Sequence, residues 1–391
     1  MLFSMSFQPY QGRYLRVYNQ ARTLVDAGYE VRLLAWDRDG GSPEEEVRDG
    51  IVIRRFHIPA GVGQGPRNAF NIWKFNWAAF RYLMTHPFDI VHCYNLDAVV
   101  MSLAAARLRK KKAVLDLCEP EYYAFWDKKF SWLLKGINQL EIGLARRFDH
   151  LFVHNLYQVR KFRSRGISHL TQVGSYPNRA MMPSEIKKRA EGEFVIGRIG
   201  TIYEDNGIEE LIGAFGRLLE RQKKRGKELS YRLFLAGRIY DSFRPAFDAL
   251  VDPLREYVDV HGSFQAADLP LLYAKIDISV MISRKTRWFR NITPTKLFDS
   301  IVNGVPVVAN DIGDIADILE EGPCGVIVDE SDTDSICSGI ESLALDPPLR
   351  LEMAENALSS ARDKYTWEAY QEEFLLKYRL IWGSEIHGFD N

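Results

Sequence analysis

The chain has 391 residues and a formal net charge of −1, and this length favours two domains of roughly 100–200 residues each. Its composition is that of an ordinary globular protein, and no apolar run reaches the roughly eighteen residues that a membrane-spanning helix needs. The four cysteines have neither the spacing of a zinc site nor the density of a disulfide framework, so we expect a cytoplasmic protein without a bound metal.

The two halves of the chain differ in charge. Residues 1–175 contain 25 Lys and Arg against 16 Asp and Glu, whereas residues 176–391 contain 26 against 36. A basic first half favours contact with phosphates or with an anionic membrane surface. Residues 122–147 mix aromatic and basic side chains, which suits either an interfacial membrane contact or a helix packed on its own domain. We do not expect nucleic acid as a partner, because no recognised binding module is present.

The N-terminal residues predict a parallel βαβ unit, with a strand at 2–7, a helix at 13–27 and a strand at 31–36. Ligands of such units bind beyond the carboxyl ends of the strands, which places Gly12 and Arg13 at a ligand-binding edge. An ordinary arginine on a helix surface is an equally good interpretation of Arg13.

An acidic turn is predicted at 43–46, a strand at 51–56 and a helix at 68–84. This helix carries an aromatic stripe of Phe70, Trp73, Trp77 and Phe80. A stripe at helical spacing is more often part of a core than of a ligand site, so we predict that it packs inside the first domain.

Polar side chains follow two further strands, predicted at 89–93 and 113–117. They are Asn95 and Asp97 after the first strand, and Cys118, Glu119 and Glu121 after the second. Because parallel strands end at the same edge of a sheet, we expect these side chains near a ligand.

Residues 174–178 are the best candidate for a linker, and the alternation of strand and helix begins again after them. A strand at 194–199 leads through a glycine-flanked loop at 200–207 into a helix at 208–221, and a strand at 231–236 ends at Gly237 and Arg238. Such a loop is only a weak phosphate signal, and the GxGxxG spacing is absent. We expect Gly200, Thr201 and Arg238 at the binding edge.

Residues 283–311 contain the densest group of functional signals. Four basic residues would repel one another unless a negative group binds; they are Arg284, Lys285, Arg287 and Arg290. Thr293 is predicted to cap a helix that begins at Pro294 and ends near Asn303.

Thr295 and Lys296 lie in the first turn of this helix, and Asp299 shares the face of Lys296. Free backbone N–H groups there favour an anion, so the helix predicts an anion site. The alternative is an ordinary solvated pair of charges.

Four segments are similar to one known family: GRYLRVYNQARTLVDAGYEVRLLAW (12–36), FDIVHCYNLDA (88–98), ISRKTRWF (282–289) and NITPTKLFDSIVNGVPVVA (291–309). Nearly the whole chain resembles the retaining glycosyltransferases of family 4. The resemblance implies the α/β GT-B fold, in which two Rossmann-like doubly wound domains face a central cleft. It implies an acceptor-binding domain at 1–175, a donor-binding domain at 176–365, and a helix at 366–391 that packs back on the first domain.

The resemblance also assigns roles to single residues. Asp299 stands where the family has a glutamate that accepts from ribose hydroxyls, and Asn291 where many members have a glutamate facing the sugar. Thr201 and Asn206 stand where the family has the Arg and Lys that neutralise the diphosphate. We therefore expect the missing charge from Lys296 or from the four upstream cations, Arg284, Lys285, Arg287 and Arg290.

On the acceptor side, Cys118 stands where the family often has a histidine near the reacting sugar. Glu119 is a candidate to orient or deprotonate an acceptor hydroxyl. Asn95, Asp97, Cys118 and Glu121 are the expected acceptor contacts.

The resemblance thus implies a retaining, metal-independent transfer of a sugar in polysaccharide synthesis. The donor is a nucleotide-sugar such as a UDP- or GDP-sugar, a substrate rather than a cofactor, and the acceptor is a membrane-bound or lipid-linked glycan. We expect Glu119, Lys296 and Asn291 in catalytic roles. The alternative is a non-catalytic subunit of the same fold that binds nucleotide sugar or a partner glycosyltransferase, which the residues at 118, 201, 206 and 291 favour.

Overall fold

The computed structural model describes residues 2–3, 15–60, 69–118, 131–186, 192–204, 206–225 and 229–383. Contacts divide the chain into two compact units, Met1–Ser175 with Tyr370–Asn391, and Tyr176–Ala369. Each unit is a mainly parallel sheet with helical crossovers, which confirms the predicted pair of Rossmann-like domains. Four predicted site residues lie outside the described residues: Gly12, Arg13, Glu119 and Glu121.

The sheet of the first unit has eight strands within the described residues, in the order β3-β4-β2-β1-β5-β6-β7-β8. The strands are β1 (Leu2–Phe3), β2 (Arg32–Asp37), β3 (Glu45–Arg48), β4 (Ile51–His57), β5 (Ile90–Tyr94), β6 (Lys112–Leu117), β7 (His150–Val153) and β8 (Leu170–Gln172). The helices are α1 (Leu15–Asp26), α2 (Ala69–Thr85), α3 (Val99–Leu108), α4 (Ser131–Ala145) and α5 (Leu156–Arg163). All residues of β5 and the five residues after Lys112 in β6 are buried, as strands covered on both faces require.

The acidic residues at 43–46 do not form the predicted turn, because Glu45–Arg48 is the edge strand β3, antiparallel to β4. Arg54 of β4 pairs with Glu44, and Arg55 Nη2 lies 2.8 Å from Glu46 Oε1. Acidic side chains are tolerated in this edge strand because arginines of the neighbouring strand meet them.

The prediction that the aromatic stripe is core was wrong for three of its four residues. Phe70, Trp73 and Trp77 are exposed, whereas Phe80 packs against the core. The helix buries the opposite face instead, through Phe75, Ala79 and Leu83. Helix α2 is apolar on both sides, so periodicity alone could not choose the buried face.

The sheet of the second unit has six strands within the described residues, all parallel, in the order β11-β10-β9-β12-β13-β14. The strands are β9 (Glu193–Ile199), β10 (Ser230–Ala236), β11 (Val258–Gly262), β12 (Ile278–Met281), β13 (Val307–Asn310) and β14 (Gly325–Val328). The helices are α6 (Ile208–Arg225), α7 (Arg244–Val251), α8 (Leu269–Tyr273), α9 (Arg287–Arg290), α10 (Thr295–Val302), α11 (Ile315–Glu321), α12 (Thr333–Ala344) and α13 (Pro347–Asp363). The strand order reverses between β9 and β12, and ligands of open sheets bind at such a point.

Helix α14 (Trp367–Trp382) contributes its residues from Tyr370 onward to the first unit. Its Phe374 ring lies 5.1 Å from the ring of Phe152 on β7, and the Tyr378 hydroxyl lies 2.5 Å from His92 Nδ1 on β5. The aromatic face of α14 therefore covers part of the first sheet. No helix among the described residues has the length and apolar character that crossing a bilayer requires.

A buried ion pair joins α1 to β6. Arg16 Nε donates to both carboxylate oxygens of Asp116 at 3.1 Å, and Gln20 Nε2 donates to the same carboxylate at 2.8 Å. Arg16 Nη1 also donates to the carbonyl of Gly174 at 2.9 Å. Burial by itself raises the pKa of Asp116, but Arg16 and His92 outweigh it and hold the pKa below its ordinary value.

We predict that Arg16→Met strongly destabilises the first unit. The substitution leaves the Asp116 carboxylate buried without its charged partner, a change that costs about 3–5 kcal/mol. The midpoint of thermal unfolding should fall by about 10 °C, measured by scanning fluorimetry. Arg22→Met in the same helix is the matched control, because Arg22 pairs with Asp26 at the surface. Equal losses in the two variants would contradict the assigned importance of the buried pair.

Candidate functional site

Two glycines shape the carboxyl edge of the second sheet. Gly200 follows β9 with φ +128°, and Gly237 follows β10 with φ +148°. A Cβ at Gly237 would lie 2.0 Å from the carbonyl oxygen of Gly200, so no other residue fits there without moving the backbone. The two loops are thus in direct backbone contact at the strand ends.

Asn206 stabilises the loop at 200–207 through hydrogen bonds. Asn206 is buried, its Nδ2 donates to the carbonyl of Thr201 at 2.7 Å, and its own carbonyl accepts from Arg198 Nη2 at 2.5 Å. Thr201 is exposed. Asn206 therefore closes the loop, at the position where the resemblance leads one to expect a cation.

Arg198 is a buried cation that sequence reasoning missed. It lies on β9 and is 1% exposed, and its Nη1 makes only long contacts of 3.4 Å with the carbonyls of Val280 and Ile282. Its Nε has no hydrogen-bond partner. Burial lowers the pKa of Arg198 to about 10. Within the described part of the chain, no carboxylate pairs with this guanidinium.

Helix α10 begins one residue later than predicted, at Thr295, with Pro294 in the N-cap position. The prediction that Thr293 caps this helix was wrong, because Thr293 Oγ1 accepts the N–H of Asp314 at 3.3 Å. The neighbouring Gly313 has φ +57°, and a Cβ there would lie 2.1 Å from the carbonyl of Ile292. Thr293 thus fixes the loop after β13.

Lys296, in the first turn of α10, reaches back to the end of β9. A Cβ at Gly200 would lie 3.8 Å from both Cε and Nζ of Lys296. Burial and then Arg198 lower the pKa of Lys296 well below its ordinary value, and Asp299 opposes them. Among the described residues, no ion-pair partner lies within reach of this ammonium.

Asp299 lies one turn further along α10. Burial raises its pKa to about 7, against the influence of Lys296. Both charged forms are therefore disfavoured in the unliganded unit. A negative ligand at the ammonium would reverse this for Lys296, since a nearby opposite charge stabilises the charged form.

Two of the four upstream basic residues, Arg284 and Lys285, are paired with acids within the unit, so these two do not need an outside anion. Arg284 Nε lies 2.6 Å from Glu210 Oε1, and its guanidinium also meets Glu209. Lys285 Nζ lies 3.1 Å from Glu330 Oε2. These acids are far away in the sequence, in α6 and after β14.

The other donor-side candidates are distributed around this edge. Arg290 is exposed, and its Nε donates to the carbonyl of Lys285 at 3.2 Å. The guanidinium of Arg238 is exposed and lies 5.8 Å from the ring centre of Tyr240. Asn291 ends α9, and Thr295 is exposed at the start of α10. Arg287 begins α9, and its side chain is not among those described.

In the first unit, the ends of β5 and β6 bring Asn95 and Cys118 together. Asn95 has φ +55°, and its Oδ1 accepts the N–H of Cys118 at 3.1 Å. Cys118 Sγ lies 3.4 Å from Asp116 Oδ1. Asp97 lies in a short helix at Leu96–Ala98, and its side chain is not among those described.

Three buried charged residues lie close to these two strand-end edges: Arg16, Asp116 and Arg198. The sequence contained a signal for the last two. Asp116 interrupts the apolar strand AVLDL, and Arg198 interrupts FVIGRI. A single charged residue inside an otherwise apolar strand indicates a buried, specifically placed charge.

Two family models match the chain. The model described as "Glycosyl transferases group 1" matches residues 193–346, and the "Glycosyl transferase 4-like domain" model matches residues 13–173. Together they cover most of both units.

Several curated relatives of this chain have named activities. The chain is 25% identical over 185 residues to the alpha-D-kanosaminyltransferase of Streptomyces kanamyceticus, a match covering 47% of this chain and 45% of the relative. It is 23% identical over 177 residues to the lipopolysaccharide core biosynthesis mannosyltransferase LpcC of Rhizobium leguminosarum bv. viciae, covering 45% and 48%. This chain thus matches about half the length of each relative.

Among solved structures, Anabaena HepE in complex with UDP and glucose is similar to this chain with a TM-score of 0.69 and 17% identity, over 96% of this chain and 98% of HepE. At that identity the likeness concerns the fold, and it confirms the GT-B class predicted from the sequence.

We predict that Lys296→Met makes the protein more stable below neutral pH. Folding buries the protonated lysine near Arg198, and this cost persists at every pH below the folded pKa. At about pH 6 Asp299 is protonated in most molecules, so removing Lys296 rarely leaves an ionised Asp299 without a nearby positive charge. The midpoint of thermal unfolding should rise by a few degrees there, and most of the gain should be lost by about pH 10.5, where about half of the unfolded lysine is also neutral.

Lys224→Met is the matched control, since Lys224 is exposed on α6. It should leave the unfolding midpoint unchanged at both pH values. If Lys296→Met unfolded at a lower temperature than the parent at about pH 6, the proposed cost of burying protonated Lys296 near Arg198 would be contradicted.

Proposed function

The chain belongs to the group 1 glycosyltransferases, and from this premise we propose that it transfers a sugar from a nucleoside diphosphate donor, a UDP- or GDP-sugar, to a glycan or lipid-linked acceptor. We propose further that the transfer retains the anomeric configuration and needs no metal ion. The observation that carries the proposal is the cationic site of the second unit, where neither Lys296 nor the buried Arg198 forms an ion pair within the described residues, although Asp299 lies one turn from Lys296.

The leaving group of such a transfer is a diphosphate, and negative charge grows on it as the sugar–oxygen bond breaks. Lys296 lies in the first turn of α10, where free backbone N–H groups would also favour a bound anion. These groups are fixed before the reaction, so they stabilise the developing charge without reorganisation. Arg198, on the strand that ends next to Gly200, contributes positive charge at longer range. It also stabilises the loop by donating a hydrogen bond to the carbonyl of Asn206.

Asp299 is proposed to accept hydrogen bonds from the ribose hydroxyls. Its position one turn beyond Lys296 on the same helix sets the phosphate and ribose contacts side by side. Because its pKa is about 7, the carboxylate form needed for accepting two hydroxyls is favoured above neutral pH.

The acceptor is proposed to bind at the carboxyl edge of the first sheet. Asn95 and Cys118 lie there at adjacent strand ends, with Asp97, Glu119 and Glu121 as further proposed contacts. In a transfer with retention, the acceptor oxygen forms the new bond to the sugar carbon, the bond to the diphosphate oxygen breaks, and the acceptor proton passes to the departing diphosphate.

A non-catalytic subunit of the same fold is the second candidate. It is favoured by the replacement of two cations at Thr201 and Asn206, the latter being buried in its own loop. Binding of UDP or GDP without turnover of any UDP- or GDP-sugar, with both lipid-linked and soluble glycan acceptors, would favour it over the enzyme.

We predict that Lys296→Ala lowers affinity for the donor nucleotide by at least about tenfold and Asp299→Ala by less, because a charge-assisted phosphate contact is stronger than a hydroxyl contact. Isothermal titration with UDP and with GDP measures this. Arg284→Ala is the matched control for loss of a cation, since Glu209 and Glu210 already hold Arg284, and it should change affinity by less than about threefold. Equal binding by the parent and Lys296→Ala would contradict the assignment.

We also predict that nucleotide binding takes up protons at an alkaline pH, above the depressed pKa of Lys296 in the free protein and below the ordinary lysine pKa of about 10.4, and that affinity falls as the pH rises through this range. The phosphates raise the depressed pKa of Lys296, so the complex holds a proton that the free protein lacks. Titrations in two buffers of different ionisation enthalpy measure the uptake. Asp299→Asn should retain it and Lys296→Ala should abolish it, because Asp299 is already ionised at this pH. Uptake that survives in Lys296→Ala would assign the proton to another group.

A further inference from the structure

The outer face of α2 is an exposed row of aromatic and basic side chains, made of Phe70, Trp73, Lys74, Trp77, Arg81 and Met84. Phe70 is 61% exposed, Trp73 52% and Trp77 43%. Their rings stack in sequence, with centres 6.0 Å and 6.3 Å apart and planes within 9° and 4° of parallel. Three large aromatic side chains in one exposed row exceed the scattered apolar residues of an ordinary surface.

The core does not require these rings. Helix α2 is anchored by its opposite face, where Phe75 stacks on Trp36 with ring centres 5.6 Å apart and Leu83 is fully buried. The outer face is therefore free to contact something else while the helix stays fixed on the sheet.

The charges on this face are all positive. Lys74 Nζ lies 4.6 Å from the ring centre of Phe70, and Arg81 is exposed two turns further along. No aspartate or glutamate occurs in α2. Tryptophan with lysine and arginine on one exposed helix face is the composition of an interfacial helix on an anionic bilayer, where rings enter the headgroup region and cations meet lipid phosphates.

The position of α2 connects this face to the proposed acceptor edge. The helix follows β4, which is parallel to β2, and leads into β5. Its N-terminal end, with Phe70, therefore lies at the carboxyl edge of the sheet, where β5 and β6 end at Asn95 and Cys118.

We propose that the outer face of α2 docks on an anionic lipid bilayer and holds the acceptor edge of the first unit at the membrane surface. This rests on the proposed function only in the nature of the acceptor, a glycan carried by a lipid. The excess of 25 basic over 16 acidic residues in 1–175 adds long-range attraction to the same surface.

A second copy of the chain fits this face less well. A symmetric dimer through the outer face would set Lys74 and Arg81 against their own counterparts with no acidic residue of α2 to separate them. A lipid surface supplies the negative charge that the face lacks.

The test is co-sedimentation with phosphatidylcholine vesicles, with and without phosphatidylglycerol. The parent should bind the anionic vesicles and lose binding as salt rises. Phe70→Ser, Trp73→Ser and Trp77→Ser together should lower the partition coefficient at least about tenfold, because the inserted rings are removed. Lys74→Glu with Arg81→Glu should lower it on anionic vesicles alone. Brominated lipids should quench tryptophan fluorescence in the parent and quench it less in the triple variant.

Two control variants match these changes. Leu376→Ser with Leu380→Ser removes exposed apolar side chains of α14 in the same unit, and Lys223→Glu with Lys224→Glu makes the same charge change on α6. Both should bind vesicles like the parent. Parent-like binding by the triple variant would overturn the proposal, and so would a parent dimer that dissociates on the triple substitution without any vesicle binding.

The result is separable from the proposed function. The triple variant should transfer sugar to a soluble glycan acceptor at the parent rate, whereas Lys296→Ala should lose transfer and keep vesicle binding. Vesicle binding without transfer by the parent would reject the enzyme and leave the docking surface standing.

Discussion

The proposed donor site of this protein depends on positive charge that the fold does not neutralise. Arg198 is enclosed by β9, β12 and the loop at 200–207, and Lys296 reaches the same loop from α10. Burying a cation without a carboxylate is costly, and proteins accept that cost mainly where a ligand supplies the opposite charge. The close backbone contact of Gly200 with Gly237 and the fixing of the loop after β13 by Thr293 keep both cations in place.

The same electrostatic requirement can be met from different parts of one fold. In the pattern that the sequence resembles, the loop after the first strand of the donor domain carries the cations. Here that loop carries exposed Thr201 and buried Asn206, and in the proposed site the charge comes from Arg198 within a strand and from Lys296 at the start of a helix. A cation on a strand or helix is positioned more rigidly than one on a loop, so this arrangement favours preorganisation over adaptability.

The sequence predicted most of the fold because its signals were local. Apolar runs bounded by glycine and polar residues marked the strands, and the polar residues after them marked the edges where Asn95 meets Cys118 and Gly200 meets Lys296. What failed depended on distant partners. Arg284 is paired with acids 74 and 75 residues away, and Thr293 bonds to a residue 21 positions later instead of capping its own helix. The exposed face of α2 was missed because both of its faces are apolar, and only the packing of Phe75 decides between them.

The contact between His92 and Tyr378 joins residues 286 positions apart, across the whole of the second unit. During synthesis the second unit, being continuous from Tyr176 to Ala369, leaves the ribosome before the part of α14 that packs on the first unit, from Tyr370 onward. Until then α14 does not cover Phe152 and His92 of the first sheet, which it contacts in the folded protein. The nascent chain therefore passes through a stage in which its earlier-made unit is the unfinished one, the reverse of the usual N-terminal-first order, and in that interval the uncovered aromatic patch is a natural binding site for chaperones.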